Sequence, residues 1–344
     1  MKKLIHPWLA TLCFLSLVFG PLAAQALPFS SLVIFGDSLS DSGNNAVVFD
    51  TRVAPPGTPP GTLRTPTPIA APGFIPTFPY QSNRYSNGPV WIEQFAVSVE
   101  MSARASLLGG TNFAFGGART GPAGSSFPFS LTDQVSFFLG ATGGVAPGNA
   151  LYVVQGGGND ARDAFALAAG GGDATSIIAD YAANMAAIIT RLATAGAAEI
   201  LLVNTPDIGL TPALQAFGPA AAGLGSGIAA AMNDALNATL AALLPALAVD
   251  VSVLNAYKLL NDIAADPGAF GLADASSACA FNPACIADPS GTFFWDGIHP
   301  TTAGHAAIAQ TALALIPEPA TWLLMVLAIA VVVVLRNSVV RIRQ

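Results

Sequence analysis

The sequence has 344 residues, of which 53% are hydrophobic and 10% are charged, and its formal net charge at pH 7 is −7. This composition excludes a disordered chain and predicts one large domain with targeting segments at its ends. Acidic residues outnumber basic ones between Leu27 and Ile316, which argues against a nucleic-acid partner. The few histidines and cysteines form no zinc-type cluster, so we expect no metal.

Residues 1–26 have the organisation of a secretory signal peptide. Lys2 and Lys3 precede an apolar run from Leu9 to Phe19, and small residues follow up to Ala26. We therefore predict that the chain is exported and that this segment is not part of the fold.

Export would place Cys279 and Cys285 in a compartment that permits disulfides. A bridge between these two cysteines would close a short loop and stabilise a local turn without defining the fold. The remaining cysteine, Cys13, lies in the signal segment and would be removed with it.

The stretch FGDSLSDSGNN, Phe35–Asn45, follows an apolar run, Ser31–Ile34, that predicts a short buried strand. We expect Ser38 at the mouth of a sheet and at the start of the next helix, where unpaired N–H groups favour negative charge. That environment suits a nucleophile whose attack creates an oxyanion. The alternative is that Gly36, Asp37 and Ser38 form only a strand-to-helix turn with a capping serine.

Residues 54–79 contain nine prolines and predict a surface loop beside the predicted nucleophile. This loop could shape the access of acyl groups, or it could be a spacer of no consequence. The next stretch, Pro89–Met101, predicts an amphipathic helix with Trp91, Phe95 and Val99 on one face. We assign these three side chains to the core.

A second buried strand is predicted at Ala150–Gln155, and it ends directly in GGGND, Gly156–Asp160. Ligands collect at the ends of parallel strands, so Asn159 is placed to offer its amide to an oxyanion. The remaining predicted elements alternate, and they are the helix Thr175–Ala195, the strand Glu199–Asn204, the helix Gly225–Leu244, the strand Val249–Leu254 and a helix from about Pro300 to Leu315. This alternation predicts parallel pairing in a three-layer α/β/α sandwich.

The stretch WDGIHPTTAGH, Trp295–His305, places Asp296 three residues before His299. That spacing lets the carboxylate orient the imidazole, while the other ring nitrogen remains free to take a proton from a hydroxyl. After the signal segment His305 is the other histidine, and it has no such aspartate beside it. The plainer interpretation is a helix N-terminus with incidental charges.

Four blocks resemble, in their order along the chain, the signature blocks of the GDSL esterases and lipases, also called SGNH hydrolases. They are FGDSLSDSGN, then NFAFGGART at Asn112–Thr120 with NRYSNGPVW before it, then GGGND and DGIHPT. The resemblance covers the chain from about Ser31 to Leu315. It implies an α/β/α fold with a parallel sheet of about five strands, and an activity that requires no cofactor.

The resemblance also implies a role for each candidate residue. Ser38 is the expected nucleophile, His299 the general base and then acid, and Asp296 the carboxylate that orients it. The expected oxyanion hole comprises the Ser38 N–H, the Asn159 side chain and a glycine N–H, which we assign to Gly117 with Gly116 as the neighbouring possibility. Asp160 is expected to brace its loop.

The expected reaction is the hydrolysis of a carboxylic ester, from a small ester or a lipid, through an acyl-enzyme that water resolves. An acyltransferase with the same triad is one alternative. A non-enzymatic surface or matrix protein that has kept the fold is another.

The C-terminal segment carries Pro317–Pro319, an apolar run at Ala320–Leu335 and then three arginines, Arg336, Arg341 and Arg343. It resembles the PEP-CTERM sorting signal of Gram-negative bacteria, which implies recognition at the membrane and removal by an exosortase. A permanent single-span membrane anchor is the plainer alternative. With either one, we expect the catalytic domain outside the cytoplasmic membrane, at the cell surface, in the outer envelope or in the medium.

Overall fold

The computed structural model of the protein describes residues 29–48, 80, 83–122 and 127–316. All of them belong to the unit Phe29–Ile316. The predicted signal segment, the proline-rich segment and the C-terminal sorting segment lie outside the described residues.

The main sheet has four parallel strands in the order β1–β2–β3–β4. The strands are β1 at Ser31–Phe35, β2 at Ala150–Gln155, β3 at Glu199–Val203 and β4 at Asp250–Leu254. Every residue of β2 is buried, as expected for a central strand that helices cover on both faces. The uninterrupted apolar runs in the sequence therefore mark these strands.

A fifth segment, Thr111–Phe115, extends this sheet along the free edge of β1. Ile34 N donates to the Thr111 carbonyl at 3.0 Å, and Phe113 N donates to the Ile34 carbonyl at 2.7 Å. A parallel bridge joins Ile34 to Asn112. The sheet of about five strands that the resemblance implies is thus four strands plus this hydrogen-bonded segment, in the doubly wound 2-1-3-4-5 order.

Helices cover both faces of the sheet, so the predicted α/β architecture is confirmed. On one face, alternate strand residues such as Val33, Tyr152 and Leu202 share a buried core with Met185 and Met232. The helices, in chain order, are α1 at Asn44–Val48, α2 at Trp91–Ser98, α3 at Leu131–Ala141, α4 at Gly158–Ala169, α5 at Thr175–Ala195, α6 at Pro212–Gln215, α7 at Pro219–Leu243, α8 at Ala256–Ala265, α9 at Pro283–Ala287 and α10 at Thr302–Leu313. The core face is covered by α3, α5 and α7, while α2 and α10 pack together in the other layer.

Among the described residues, one helical stretch, Pro219–Ala246, is long and apolar enough to cross a membrane by length and composition. It comprises α7 and a short 3₁₀ extension. Its side chains Ile228, Met232 and Leu236 belong to the buried core of the sheet face. This helix therefore has a packing role inside the domain.

The region around the two cysteines contains regular secondary structure. A two-stranded parallel sheet joins β5, Asp274–Ala278, to β6, Thr292–Phe294. Between them the structure joins Cys279 to Cys285, with 5.2 Å between their Cα atoms. The bridge lies beside the segment that carries Asp296, because Ala280 N donates to the Trp295 carbonyl at 2.7 Å.

Candidate active site

Ser38 lies in a single helical turn that directly follows β1. The N–H groups of Ser40 and Asp41 both donate to the Asp37 carbonyl, at 3.1 and 3.0 Å. The first regular helix, α1, begins only at Asn44, so the prediction that Ser38 starts this helix is wrong. The Ser38 hydroxyl therefore lies on a tight turn and not at the start of a long helix.

Buried side chains hold this turn in place. Gln155, the last residue of β2, donates to Asp37 Oδ1 at 3.0 Å and accepts from Ser40 Oγ at 2.9 Å. The indole N–H of Trp91 also donates to Ser40 Oγ, at 3.0 Å. A Cβ on Gly36 would stand 2.9 Å from Gln155 Oε1, so a larger residue there would displace the Gln155 amide that holds this turn. The nucleophile loop is therefore fixed from two neighbouring elements.

Asp41 ties the nucleophile loop to the NFAFGGART block. Its carboxylate accepts backbone N–H groups from Gly43, Asn44, Asn45 and Gly116, at 2.8, 2.7, 3.3 and 3.0 Å. Burial raises the pKa of Asp41 to about 6, although these four donors favour its charged form. Because Gly116 gives its N–H to Asp41, Gly116 is a poor candidate for the oxyanion hole.

A continuous hydrogen-bonded line joins the three candidate catalytic residues. His299 Nε2 lies 2.9 Å from Ser38 Oγ, and His299 Nδ1 lies 2.7 Å from Asp296 Oδ2. The other oxygen, Asp296 Oδ1, accepts the backbone N–H groups of Ile298 and His299 at 2.8 and 2.7 Å. With Nδ1–H directed to the carboxylate, Nε2 is free to accept the serine proton.

Asp296 has a further partner that the sequence did not indicate. The Tyr80 hydroxyl donates to Asp296 Oδ2 at 2.7 Å. Burial disfavours the charged carboxylate, but the attraction of His299 and the hydrogen bonds from His299, Tyr80 and Ile298 outweigh it, so the pKa of Asp296 lies below its ordinary value. Tyr80 stands at the end of the proline-rich segment, 216 positions from its partner, and no motif surrounds it.

Asn159 lies in the first turn of α4, next to the nucleophile. One of its two amide N–H groups donates to the Ala118 carbonyl at 2.8 Å, which leaves the second for the cleft. Arg162, one turn later, donates to Asn159 Oδ1 at 3.1 Å. This bond holds the amide oxygen of Asn159 towards Arg162 and its NH₂ group on the opposite side. Burial lowers the pKa of Arg162, which lines the same cleft. The i, i+3 spacing is the signal that could have identified it.

The two other residues predicted in these blocks have different surroundings. Asp160 accepts from Thr120 Oγ1 at 2.7 Å and so joins the GGGND block to the end of NFAFGGART. Gly117 has a φ of 84°, which favours glycine. It is not among the described residues that line the cleft, so its part in an oxyanion hole stays a prediction.

His305 does not join the site. It is fully buried within α10, and neither ring nitrogen has a hydrogen-bond partner in the described part of the chain. Burial lowers the pKa of His305 to about 3. Its imidazole is therefore neutral and makes no hydrogen bond to Ser38.

The cleft itself encloses about 470 Å³ of space open to solvent. Its lining includes Ser38, Leu39, Asn159, Arg162, Ile298 and His299. Over the described ranges, no group of three or more His, Cys, Asp or Glu side chains is placed to hold a metal ion. The polar groups that line the cleft are the Ser38 hydroxyl, the His299 imidazole, the Asn159 amide, the Arg162 guanidinium and the Asp37 carboxylate.

The sequence model of the GDSL-like lipase and acylhydrolase family matches residues 32–312, a span that holds all of these residues. The chain belongs to this family. It is 30% identical to Esterase EstA of Pseudomonas aeruginosa, over 93% of this chain and 51% of that protein. It is also 27% identical to Phosphatidylcholine-sterol acyltransferase of Aeromonas hydrophila, over 87% of this chain and 94% of that protein. The chain thus spans about half the length of the esterase.

In this GDSL family member, the blocks meet at the carboxyl end of the parallel sheet, where ligands bind in open α/β folds. The nucleophile block follows β1 and the GGGND block follows β2. Asn112 Nδ2 donates to the Ser40 carbonyl at 2.7 Å, which attaches the NFAFGGART block to the nucleophile loop. The family blocks are thus joined to one another through buried side chains.

Proposed function

We propose that the protein is a serine hydrolase of carboxylic esters. The observation that carries the proposal is the unbroken line of hydrogen bonds from Ser38 through His299 to Asp296. Membership of the GDSL family and similarity to a protein named an esterase support it.

In the proposed reaction, Ser38 Oγ attacks the ester carbonyl carbon while its proton passes to His299 Nε2. Asp296 stabilises the imidazolium that forms. The tetrahedral intermediate then collapses to an acyl-serine, the carbon–oxygen bond to the alcohol breaks, and His299 returns the proton to the leaving alcohol. A water molecule then attacks the acyl-serine while His299 takes its proton, and the ester bond to Ser38 breaks, which releases the acid and restores Ser38.

The negative oxygen of the tetrahedral intermediate needs donors already in place. We assign this work to the free amide N–H of Asn159, the backbone N–H of Ser38 and the N–H of Gly117. Arg162 acts here as a positioning residue, because its bond to Asn159 Oδ1 turns the amide N–H groups away from itself. No cofactor takes part in these steps.

The test is the hydrolysis of p-nitrophenyl acetate and longer p-nitrophenyl esters by the full chain, beside its Ser38→Ala variant. We expect activity in the parent and a loss of many orders of magnitude in the variant. Ester hydrolysis that survives in Ser38→Ala would contradict the mechanism. Equal, negligible rates for both proteins on every ester would favour the non-enzymatic surface or matrix protein.

An acyltransferase with the same three residues is the second candidate function. The similarity to a protein named Phosphatidylcholine-sterol acyltransferase, over 94% of that protein's length, favours it. In this case an alcohol replaces water as the acceptor of the acyl group. Addition of glycerol or a sugar to the ester assay would then yield an acylated alcohol faster than free acid.

We also propose that the protein is exported and held, briefly or permanently, by its C-terminal segment. The Cys279–Cys285 bridge supports export, because disulfides persist in oxidising compartments. Cell fractionation with intact-mass measurement tests this proposal. A mature chain that has lost about residues 1–26 supports the signal peptide, and further loss after residue 316 supports an exosortase over a permanent anchor.

A further inference from the structure

The guanidinium of Arg162 brings to the catalytic cleft a positive charge that the proposed steps do not use. Arg162 lies in α4, one turn after Asn159. It lines the cleft together with Ser38 and His299. Among the described side chains that form this lining, Arg162 is the one permanent cation. A charge in this place acts on whatever part of a substrate lies beside the reacting ester.

The protein leaves most of this guanidinium without acceptors. A guanidinium has five N–H donors. Within the described residues, Arg162 makes one hydrogen bond, from Nη1 to Asn159 Oδ1 at 3.1 Å. Its Nε is buried, and the described part of the chain gives it no hydrogen-bond partner. A half-buried cation with unused donors is costly for the protein alone, and an acceptor that enters the cleft would offset this cost.

The carboxylate next to Arg162 in the sequence does not neutralise it. Asp163 gives its two oxygens to Arg119, at 2.7 and 2.8 Å. The guanidinium of Arg119 is therefore paired, whereas that of Arg162 is not. Burial, and then the like charge of Arg119, lower the pKa of Arg162.

The two carboxylates of the catalytic region are also engaged elsewhere. Asp296 Oδ2 is bound to His299 Nδ1 at 2.7 Å. Asp37 is buried, and its Oδ1 accepts a side-chain N–H of Gln155 at 3.0 Å. Neither of these aspartates makes an ion pair with Arg162 in the described ranges, and their charges act on it from a longer distance. The counter-charge of Arg162 is thus missing from the protein.

The rest of the cleft wall is mostly apolar, and it includes Leu39, Pro206, Ile208, Leu214 and Ile298. Apolar neighbours strengthen an ion pair relative to the same pair in open water. A guanidinium presents its N–H groups in a planar fork that matches the oxygens of a carboxylate or a phosphate. The ligand that complements this cleft therefore carries one anionic group on a largely apolar frame.

We propose that Arg162 binds an anionic group of the substrate, so that the natural ester carries a carboxylate or a phosphate close to the bond that is cleaved. The inference rests on the proposed ester hydrolysis at Ser38. The anion belongs to the acyl part or to the alcohol part, since both diverge from the carbonyl carbon at Ser38 Oγ. Arg162 then has two partners, the Asn159 amide and the substrate anion, and it selects the substrate as well as positioning the amide.

The experiment uses the full chain and two matched pairs of esters. Monomethyl and dimethyl glutarate differ by a negative charge in the acyl part, and 1-acetylglycerol 3-phosphate and 1-acetylglycerol differ by the phosphate in the alcohol part. Released methanol or acetate gives kcat/KM for each ester. In Arg162→Gln the anionic-to-neutral ratio of at least one pair should fall by about ten- to a hundredfold, as expected for a lost charge-assisted hydrogen bond. The pair that responds identifies the part that carries the anion.

Two further variants serve as controls. Arg104 is exposed and is not part of the cleft lining, so Arg104→Gln should keep both ratios at their parental values. Arg162→Lys keeps the charge but loses the planar fork, and its ratio should lie between those of the parent and Arg162→Gln. The lysine variant also keeps the test decisive should Arg162→Gln fail to fold.

A role in positioning alone predicts a different result. Arg162→Gln would then lower kcat on charged and neutral esters alike, and unchanged ratios for both pairs would overturn the inference. Hydrolysis of these esters that persists in Ser38→Ala would instead overturn the proposed function.

Binding gives a measurement that needs no turnover. Monomethyl glutarate or 1-acetylglycerol 3-phosphate should raise the unfolding temperature of Ser38→Ala, because a ligand of the folded state stabilises it. The same ester should have a much smaller effect on the double variant Ser38→Ala, Arg162→Gln. Equal shifts in the two proteins, zero included, would overturn the inference.

Discussion

Two histidines in the last part of the domain show how surroundings decide chemistry. His299 lies in the loop between β6 and α10, and both of its ring nitrogens are hydrogen-bonded, one to a carboxylate and one to a hydroxyl. His305, six positions later, is inside α10, and neither ring nitrogen has a partner within the described ranges. Both side chains are almost completely buried, with 2% and 0% of their surface exposed. The two imidazoles are therefore equally buried, and they differ in whether polar groups bind their ring nitrogens.

The surroundings of the two imidazoles would affect a bound proton differently. In the proposed reaction, the buried carboxylate of Asp296 compensates the positive charge of the His299 imidazolium. At His305 the same proton would create an unpaired charge in an apolar interior, which is why the pKa falls to about 3.

The largest expected effect separates the two histidines directly. His299→Ala removes the base that takes the proton of Ser38, and kcat should fall by about 10⁶-fold on p-nitrophenyl esters. His305→Leu is the matched control, since it replaces a side chain that makes no hydrogen bond among the described residues, and its kcat at pH 7 should stay near the parental value. Comparable losses in both variants would show that the contrast is wrong.

The next effect concerns the carboxylate that distinguishes the two sites. Asp296→Asn keeps the shape but no longer stabilises the imidazolium or holds the Nδ1–H tautomer, so kcat should fall by about 10⁴-fold. Asp288→Asn is a suitable control, because Asp288 is exposed and its side chain accepts from Ser290 Oγ at 2.6 Å. Steady-state kinetics near neutral pH make the measurement. A loss smaller than about tenfold would contradict the role given to Asp296.

Asn159 lines the same cleft as Ser38, and its proposed role is to donate a hydrogen bond to the oxyanion. Asn159→Ala should lower kcat by about 10²–10³-fold with little change in KM, because the lost interaction exists mainly in the transition state. Asn237, exposed on α7, gives the control Asn237→Ala. If the loss appeared in KM alone, Asn159 would contribute to ground-state binding and not to an oxyanion hole.

A smaller effect should follow from Tyr80, whose hydroxyl donates to Asp296 of the triad. Tyr80→Phe removes one hydrogen bond to a charged oxygen, which corresponds to a loss of about tenfold in kcat/KM. That bond helps to lower the pKa of Asp296, so its loss raises this pKa. The acidic limb of the pH profile of kcat/KM should therefore move to higher pH. In an Asp296→Asn background the same change should add little further loss, and full additivity would argue against the coupling.

The sequence was sufficient for the elements whose pattern is local. The helix Thr175–Ala195 has the predicted bounds, and the strands β1 and β2 follow the apolar runs closely. Ser38 and Asn159 could also be placed together, because the carboxyl ends of adjacent parallel strands share one edge. His299 follows a strand of the smaller sheet, and its place beside Ser38 was implied by the family resemblance.

Other features depend on contacts between distant positions and left no local signal. The expected helix start at Ser38 was wrong because Asp41, three residues later, captures the N–H groups that begin α1. The turn into α4 was missed because Gly157, with a φ of 107°, lets the chain pass from the strand into a helix without a loop. Tyr80 was missed because a tyrosine after a proline-rich stretch resembles any other aromatic residue. Such positions are defined by the tertiary structure.

The last prediction concerns stability and tests the buried histidine alone. The pKa of His305 is about 3 in the folded state and near 6.5 when the chain unfolds, so below pH 6.5 the unfolded state binds the extra proton. The contribution of His305 to stability is complete above pH 6.5 and is lost as pH falls towards 3, by about 1.4 kcal/mol per pH unit. In His305→Leu this loss should be absent.

Urea unfolding of the parent and His305→Leu at pH 7, 5.5 and 4.5 measures the difference. Asp41, with its pKa raised to about 6, favours folding at the lower pH values, but it is present in both proteins and cancels in the comparison. At pH 4.5 the variant should have gained about 2 to 3 kcal/mol of unfolding free energy relative to its difference from the parent at pH 7. Parallel pH profiles would mean that a hydrogen-bond acceptor or a negative charge near His305 stabilises its protonated ring. The two histidines would then differ in position but not in their capacity to hold a charge.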